Sequence, residues 1–150
     1  MLVKTFGSAV YGINATTITV EVNQSSGINF ILVGLPDNAV KESQKRIVAA
    51  LKNCSLNYPR VEITVNMAPA DIRKEGSSYD LTIALGILAG SGQVQQDALE
   101  KYVIMGEMSL DGGVQAIKGV LAIAFQAYKE GFKGIILPKA NAREAAIVNG

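Results

Sequence analysis

The 150-residue chain contains no histidine, no tryptophan and only one cysteine. Without histidine, neither a Ser-His-Asp nor a Cys-His nucleophile can be assembled from this chain alone. Cys54 as the single thiol excludes an internal disulfide and every multi-cysteine zinc site. A lone thiol also suits a reducing compartment, so a cytoplasmic location is expected. The lack of tryptophan weakens any platform for stacking bases, although five Tyr and four Phe remain. Charge is sparse as well: 18% of residues, against about 25% in an average soluble domain. Neither sign dominates, since 14 Lys and Arg face 13 Asp and Glu for a net +1, so bulk electrostatics do not mark a nucleic-acid binder. Long apolar runs are missing too. The longest uncharged stretch, Leu81 to Gln96, loses its apolar character near Gly92. A membrane span needs about 20 predominantly apolar residues, so this stretch is predicted to be a buried core helix and no membrane association is expected. At the N-terminus, Thr5, Gly7, Ser8 and Asn14 interrupt any signal-like apolar segment.

What is present is ample core material, with 49% hydrophobic residues. A chain this long can bury roughly two-thirds of its unfolded surface, so residues 1–150 are expected to form one domain without a metal or disulfide staple. Alternation over Thr17–Val22, the segment Ile28–Val33 after Ser25-Ser26-Gly27, and a Leu2–Tyr11 strand broken by Gly7 predict an opening β-meander. Further strands are expected at Val61–Val65, Val103–Met105 and Gly134–Leu137. Helices are expected at Asn38–Lys52 with Asp37 as N-cap, and at Leu81–Ala89, Val120–Tyr128 and Ala140–Val148. Gly86 inside an apolar helix costs about 1 kcal/mol relative to Ala, so close packing is expected there. Gly112-Gly113 reads as a turn. Alternating strands and helices give an α/β, or α+β layered, domain with a mixed sheet.

Chemistry is harder to place. No G-x-x-x-x-G-K-[ST] cradle appears, and Gly112, Gly113 and Gly119 miss the dinucleotide spacing. Asp71, Glu75 and Asp80 lack calcium-loop spacing, and Asp80 is expected to cap the helix that follows. Cys54 is expected at a helix end with no special role. The loop APADIRKEGSSYDL, Ala68 to Leu81, sets Ser77 and Ser78 after a glycine and at a helix start. That position suits helix capping, and it also suits stabilisation of an anion or oxyanion by free N–H groups.

These residues carry a resemblance. VGLPDNAVKESQKR (Val33 to Arg46) and NMAPADIRKEGSSYDLTIALGIL (Asn66 to Leu88) resemble the N-terminal domain of the ComM/YifB group of bacterial Mg-chelatase-like AAA+ ATPases. GSAVYGINATTITVEV (Gly7 to Val22) and GEMSLDGGVQAIKGVL (Gly106 to Leu121) fit the same pattern, so the resemblance covers essentially the whole chain. It implies a protein that continues beyond Gly150 into an ATPase module, with ATP and magnesium belonging to that module and no cofactor or metal in this domain. It also implies a ring-shaped homo-oligomer acting on DNA, because ComM-type proteins are associated with branch migration during natural transformation.

The domain is also similar in fold to the proteolytic domain of Lon, which uses a Ser-Lys dyad. KEGSSYD, Lys74 to Asp80, matches Lon's K-D-G-P-S-A-G with Ser78 at the nucleophile position. GEMSLDGGVQAIKGVL matches Lon's G-E-x-x-L-x-G-x-V-x-x-I-G-G-L-K until its last position, where Leu121 replaces the lysine. Leucine cannot accept a proton, so the resemblance implies a degenerate, non-catalytic dyad at Ser78 and Leu121. Leu121 is expected to fill the lysine position with apolar contacts. Lys118, about one helical turn earlier, is expected to point elsewhere; its reaching back to Ser78 would give the alternative, a residual peptidase. Lys41, Lys45, Arg46, Arg73 and Lys74 are candidate contacts for DNA phosphates or a partner, set against the plainer reading as a solvated helix face and loop. A protein-interaction module that does not touch DNA is the remaining alternative.

Overall fold

Ten residues of alternating exposure, Leu2–Tyr11, form β1, and Asn14–Ser25 form β2. The two pair antiparallel from Leu2↔Asn23 to Tyr11↔Asn14. Gly12, at φ +60°, supplies the backbone conformation that a two-residue hairpin loop requires. This computed structural model describes residues 1–145. Gly7 does not interrupt β1. Its role is close approach, because a Cβ there would lie 3.1 Å from Met105 Sδ and 3.3 Å from the Tyr79 ring.

The opening is not a meander beyond this hairpin. β3, shorter than expected at Phe30–Val33, does not pair with β2. It runs parallel to β4, Glu62–Ala68, which lies between β3 and β2 and pairs antiparallel with β2. The connection from β3 to β4 is helical, as a parallel pair requires. It contains α1 (Asn38–Lys41) and α2 (Ser43–Asn53), separated at Glu42, where a single helix was expected. Asp37 caps α1, its Oδ1 accepting the Val40 N–H at 2.8 Å.

The apolar stretch forms α3, Asp80–Gly90, buried on most sides, with α4 (Gln96–Leu99) after it. A Cβ on Gly86 would meet Val22 Cγ2 at 2.7 Å, so the helix can approach β2 only because the residue is glycine. β5 (Tyr102–Ile104) then pairs parallel to β1. A small hairpin follows, β6 (Glu107–Met108) with β7 (Val114–Gln115), turning at Gly112-Gly113 as expected. α5 (Val120–Lys129) and β8 (Gly134–Ile136) lead to a 3-10 turn, Lys139–Asn141, and α6, Ala142–Ala145. The remainder of the predicted Ala140–Val148 helix lies outside the described residues.

The main sheet is six-stranded and mixed, in the order β3-β4-β2-β1-β5-β8. Side chains alternate across it. Thr5 and Val22 meet α3 on one face, while Val10 and Thr17 meet the segment around α5 on the other, through Gly119 and Glu130. Helices therefore cover both faces. The main core joins Ile18, Val20, Val22, Ile63, Val65 and Met67 from the sheet to Ile47, Leu51, Ile83 and Ile87 from α2 and α3. Among the described residues no helix is long and apolar enough to cross a membrane.

Candidate functional site

The loop bearing Ser77 and Ser78 is fixed from both ends. At its start Lys74 bridges Pro36: its N–H donates to the Leu35 carbonyl at 3.0 Å and its carbonyl accepts the Asp37 N–H at 2.9 Å. Asp37 uses its second carboxylate oxygen to accept the Gly76 N–H at 2.9 Å, so one side chain holds both α1 and this loop. At its end, Asp80 begins α3 and is 1% exposed. Arg46 donates to it twice, Nε to Oδ2 at 2.6 Å and Nη2 to Oδ1 at 2.9 Å, and the Met108 N–H adds a third bond at 3.1 Å. Burial pushes the Asp80 carboxyl up, opposed by Arg46 and the Met108 N–H; Asp80 in turn raises Arg46.

Several expectations change here. Asp80 is not a cap, because it is the first helical residue and its carboxylate is spent on Arg46. Neither serine hydroxyl caps α3: Tyr79 is the N-cap residue and no side-chain oxygen accepts there. Of the five basic candidates, Lys41 and Lys45 are exposed, and Arg73 is exposed and paired with Glu75 at 3.2 Å. Arg46 is not a free surface cation, since it joins α2 to α3 and also donates to the Ala39 carbonyl at 2.7 Å. Lys74 is 0% exposed, and its ammonium donates to the Pro69 carbonyl. Burial lowers its pKa. A buried ammonium cannot meet a phosphate, so the surface set reduces to Lys41, Lys45 and Arg73. Cys54 ends α2, exposed, and packs against Gly112, where a Cβ would lie 2.1 Å from its Sγ.

The loop opens onto a cleft of about 410 Å³ shared by Ser77, Ser78, Glu107 and Lys118, with Ser8 and Val10 of β1 among its walls. Lys118 and Ser78 are both among the residues lining this cleft. Gly119 adopts φ +77° and ends the incoming segment before α5 begins at Val120. Lys118 is thus not on the helix, and helical spacing from Leu121 does not apply to it. Leu121 is 45% exposed and does not fill a lysine pocket. Among the described residues the Ser78 hydroxyl forms no hydrogen bond, and the Ser78 carbonyl accepts the Gly106 N–H at 2.8 Å. Tyr79, 2% exposed, lies behind the serines, with its phenol pushed up by burial. Ser8 had no distinguishing sequence signal, yet it lines this cleft and its buried hydroxyl has no hydrogen-bond partner among the described residues.

A mixed sheet with helices on it, and a serine loop that opens beside the segment leading into α5, define a Lon-protease-like α/β domain. The comparisons agree: the chain is 25% identical to the Lon protease of Endomicrobium trichonymphae over 146 residues, 92% of this chain and 18% of that protein. Within this class the chain belongs to the Mg-chelatase-like ComM/YifB family. Residues 20–141 match the family model described as subunit ChlI of Mg-chelatase. It is 43% identical to the uncharacterized protein YifB of Escherichia coli strain K12 over 143 residues, 95% of this chain. To the competence protein ComM of Haemophilus influenzae it is 41% identical over 145 residues, 96% of this chain. In both cases the match covers 28% of the relative's length. Among the described residues, no group of three or more His, Cys, Asp or Glu side chains could hold a metal ion.

Proposed function

We propose that this chain is the non-catalytic N-terminal accessory domain of a Mg-chelatase-like AAA+ ATPase that processes DNA in the cytoplasm, for example by branch migration during natural transformation. The observation that carries the reading is chain-long family membership combined with Leu121 at the position of the Lon lysine. A serine needs a neighbouring base to become a nucleophile near neutral pH. Leu121 offers none, and Lys118 is exposed to solvent. This chain has no Walker motif, so the phosphate cradle expected of the ATPase is not supplied by these residues. In this reading ATP, magnesium and the ring-forming surfaces belong to the part of the protein beyond residue 150.

The test is binding of the full-length protein to branched and single-stranded DNA across a salt series, with a peptide-hydrolysis assay alongside. Log affinity should fall linearly with log salt concentration, and no peptide should be cut. Absence of DNA binding removes the reading. One observation favours a second reading, a Ser78–Lys118 peptidase: both residues line one cleft. A serine-acylating probe that labels Ser78 in the parent protein and not in Lys118→Ala establishes that alternative.

A further inference from the structure

Helix α5 is apolar on both sides. Val120, Ile123, Ala124 and Ala127 are buried, while Leu121, Phe125 and Tyr128 are 45%, 57% and 57% exposed. Their spacing, i, i+4 and i+7, sets the three exposed residues in one stripe along the helix. A surface helix normally turns charge outward, as α2 does with Lys45 and Lys52. In the ten residues of α5 the single charge is Lys129, the last. Scattered exposed apolar residues need no explanation, whereas a contiguous stripe marks an interaction surface, and a helix apolar all round belongs inside a larger assembly.

The path of the chain after β8 bears on what covers the stripe. Asn141, 6% exposed, accepts the Ile117 N–H at 2.9 Å and donates to the Ile117 carbonyl at 3.0 Å. These two bonds fasten the segment after β8 to the approach to α5, and α6 packs on α5 itself. Residue 145 therefore lies beside α5, with Ala145 against the main core. The matches to YifB and ComM cover 28% of those proteins, so in the accessory-domain reading most of the polypeptide follows residue 150. Chain leading on from α6 needs no long tether to reach the stripe, which keeps its effective concentration high. Charge narrows the occupant further. Exposed Lys118 and Lys129 stand before the helix and at its end, whereas Glu130 is occupied by Thr17 and Gln126. A covering surface that is apolar in its middle and acidic toward its ends complements this arrangement.

We propose that the Leu121–Phe125–Tyr128 face of α5 is the surface on which the C-terminal continuation of the same polypeptide docks, through an apolar face flanked by carboxylates. Phe125 and Tyr128 form the centre of the contact, Leu121 lies at its edge, and Asn141 orients the chain that leads to it. The proposal rests on this chain being the N-terminal part of a longer protein.

The test uses the full-length protein with Cys54→Ser and one reporter thiol, introduced as Tyr128→Cys or, for comparison, as Lys45→Cys on α2. A maleimide labels the thiols, and peptide mass spectrometry reads each site separately. Docking should slow labelling at residue 128 about tenfold relative to residue 45, because a shielded thiol reacts only from the undocked fraction. The protection should survive about hundredfold dilution, since an intramolecular contact keeps its effective concentration. Adding Phe125→Glu, at an exposed position, should restore fast labelling, and Phe125→Leu, which keeps an apolar contact, should not. Equal labelling at residues 128 and 45 overturns the proposal. So does protection lost on dilution, which assigns the stripe to a second copy, and so does protection unchanged by Phe125→Glu, which places the shielding within this domain. DNA binding is measured separately on the same protein. A protected residue 128 without DNA binding removes only the DNA-processing reading; DNA binding with an unprotected residue 128 removes only the docking.

Discussion

Arg46 shows what one side chain does when two helices and a hairpin depend on it. Its guanidinium holds Asp80, which is 1% exposed and also fixed by the Met108 N–H. Arg46→Ala leaves a buried carboxylate uncompensated, at an expected cost of about 3–5 kcal/mol near neutral pH. Burial raises the folded-state pKa of Asp80 above its unfolded value, more strongly once Arg46 is gone. Between those two values the folded state holds the proton more tightly, so this group's contribution is fully present below the unfolded pKa and lost as pH rises through the folded one. The penalty of Arg46→Ala should therefore shrink on acidification. Urea melts of both proteins at pH 7 and at about pH 5 check this; an unchanged difference contradicts it. Leu121 makes the opposite case. Because it is 45% exposed, Leu121→Lys places its charge in water and should change stability by no more than about 0.5 kcal/mol, without creating peptide hydrolysis. Ser78→Ala should be equally mild, because its hydroxyl caps nothing.

At the scale of elements, α3 is where propensity and packing conflict. Gly86→Ala gains about 0.5–1 kcal/mol of intrinsic helix preference. It also drives a methyl to 2.7 Å from Val22 Cγ2, in a residue with 0% exposure, and overpacking of that kind costs about 1–3 kcal/mol. Packing should win, giving net destabilisation in a denaturant melt. Adding Val22→Ala should recover part of the loss, so a double-mutant cycle should report favourable coupling. What the sequence made legible follows the same division between local and non-local. Alternation located the β1–β2 hairpin, and continuous apolar character located α3, because both signals are local. The place of β3 was not legible, since its partner β4 arrives some thirty residues later, across two helices. Arg46 and Lys74 were misread as surface cations because charge ordinarily seeks water, whereas here Asp80 and the Pro69 carbonyl receive them. The helical spacing between Lys118 and Leu121 does not hold, because the left-handed turn at Gly119 precedes the start of the helix. Ser8 carried no pattern at all; only its burial beside the serine loop distinguishes it.

For the whole molecule, the remaining surface cations divide by face. Lys41 on α1 and Lys45 on α2 are exposed, and Arg73 adjoins the bridge tying the loop to Pro36, two residues before α1. They lie at the α1–α2 end of the molecule. Lys129 closes α5, which packs on the opposite face of the sheet from α3. The proposed DNA-processing role predicts that Lys41, Lys45 and Arg73 contribute to DNA binding and that Lys129 does not. Replacing Lys41, Lys45 and Arg73 with Gln in the full-length protein should weaken binding about equally on unrelated DNA sequences. Each lost phosphate contact should reduce the slope of log affinity against log salt by about 0.9 on duplex DNA. Arg73 releases Glu75 before it meets a phosphate, so its individual effect should be the smallest of the three. Lys129→Gln should leave the slope unchanged. A slope unaffected by all three substitutions assigns these cations to solvation and places DNA contact elsewhere in the protein; a slope reduced equally by Lys129→Gln shows a diffuse charge effect in place of a defined surface.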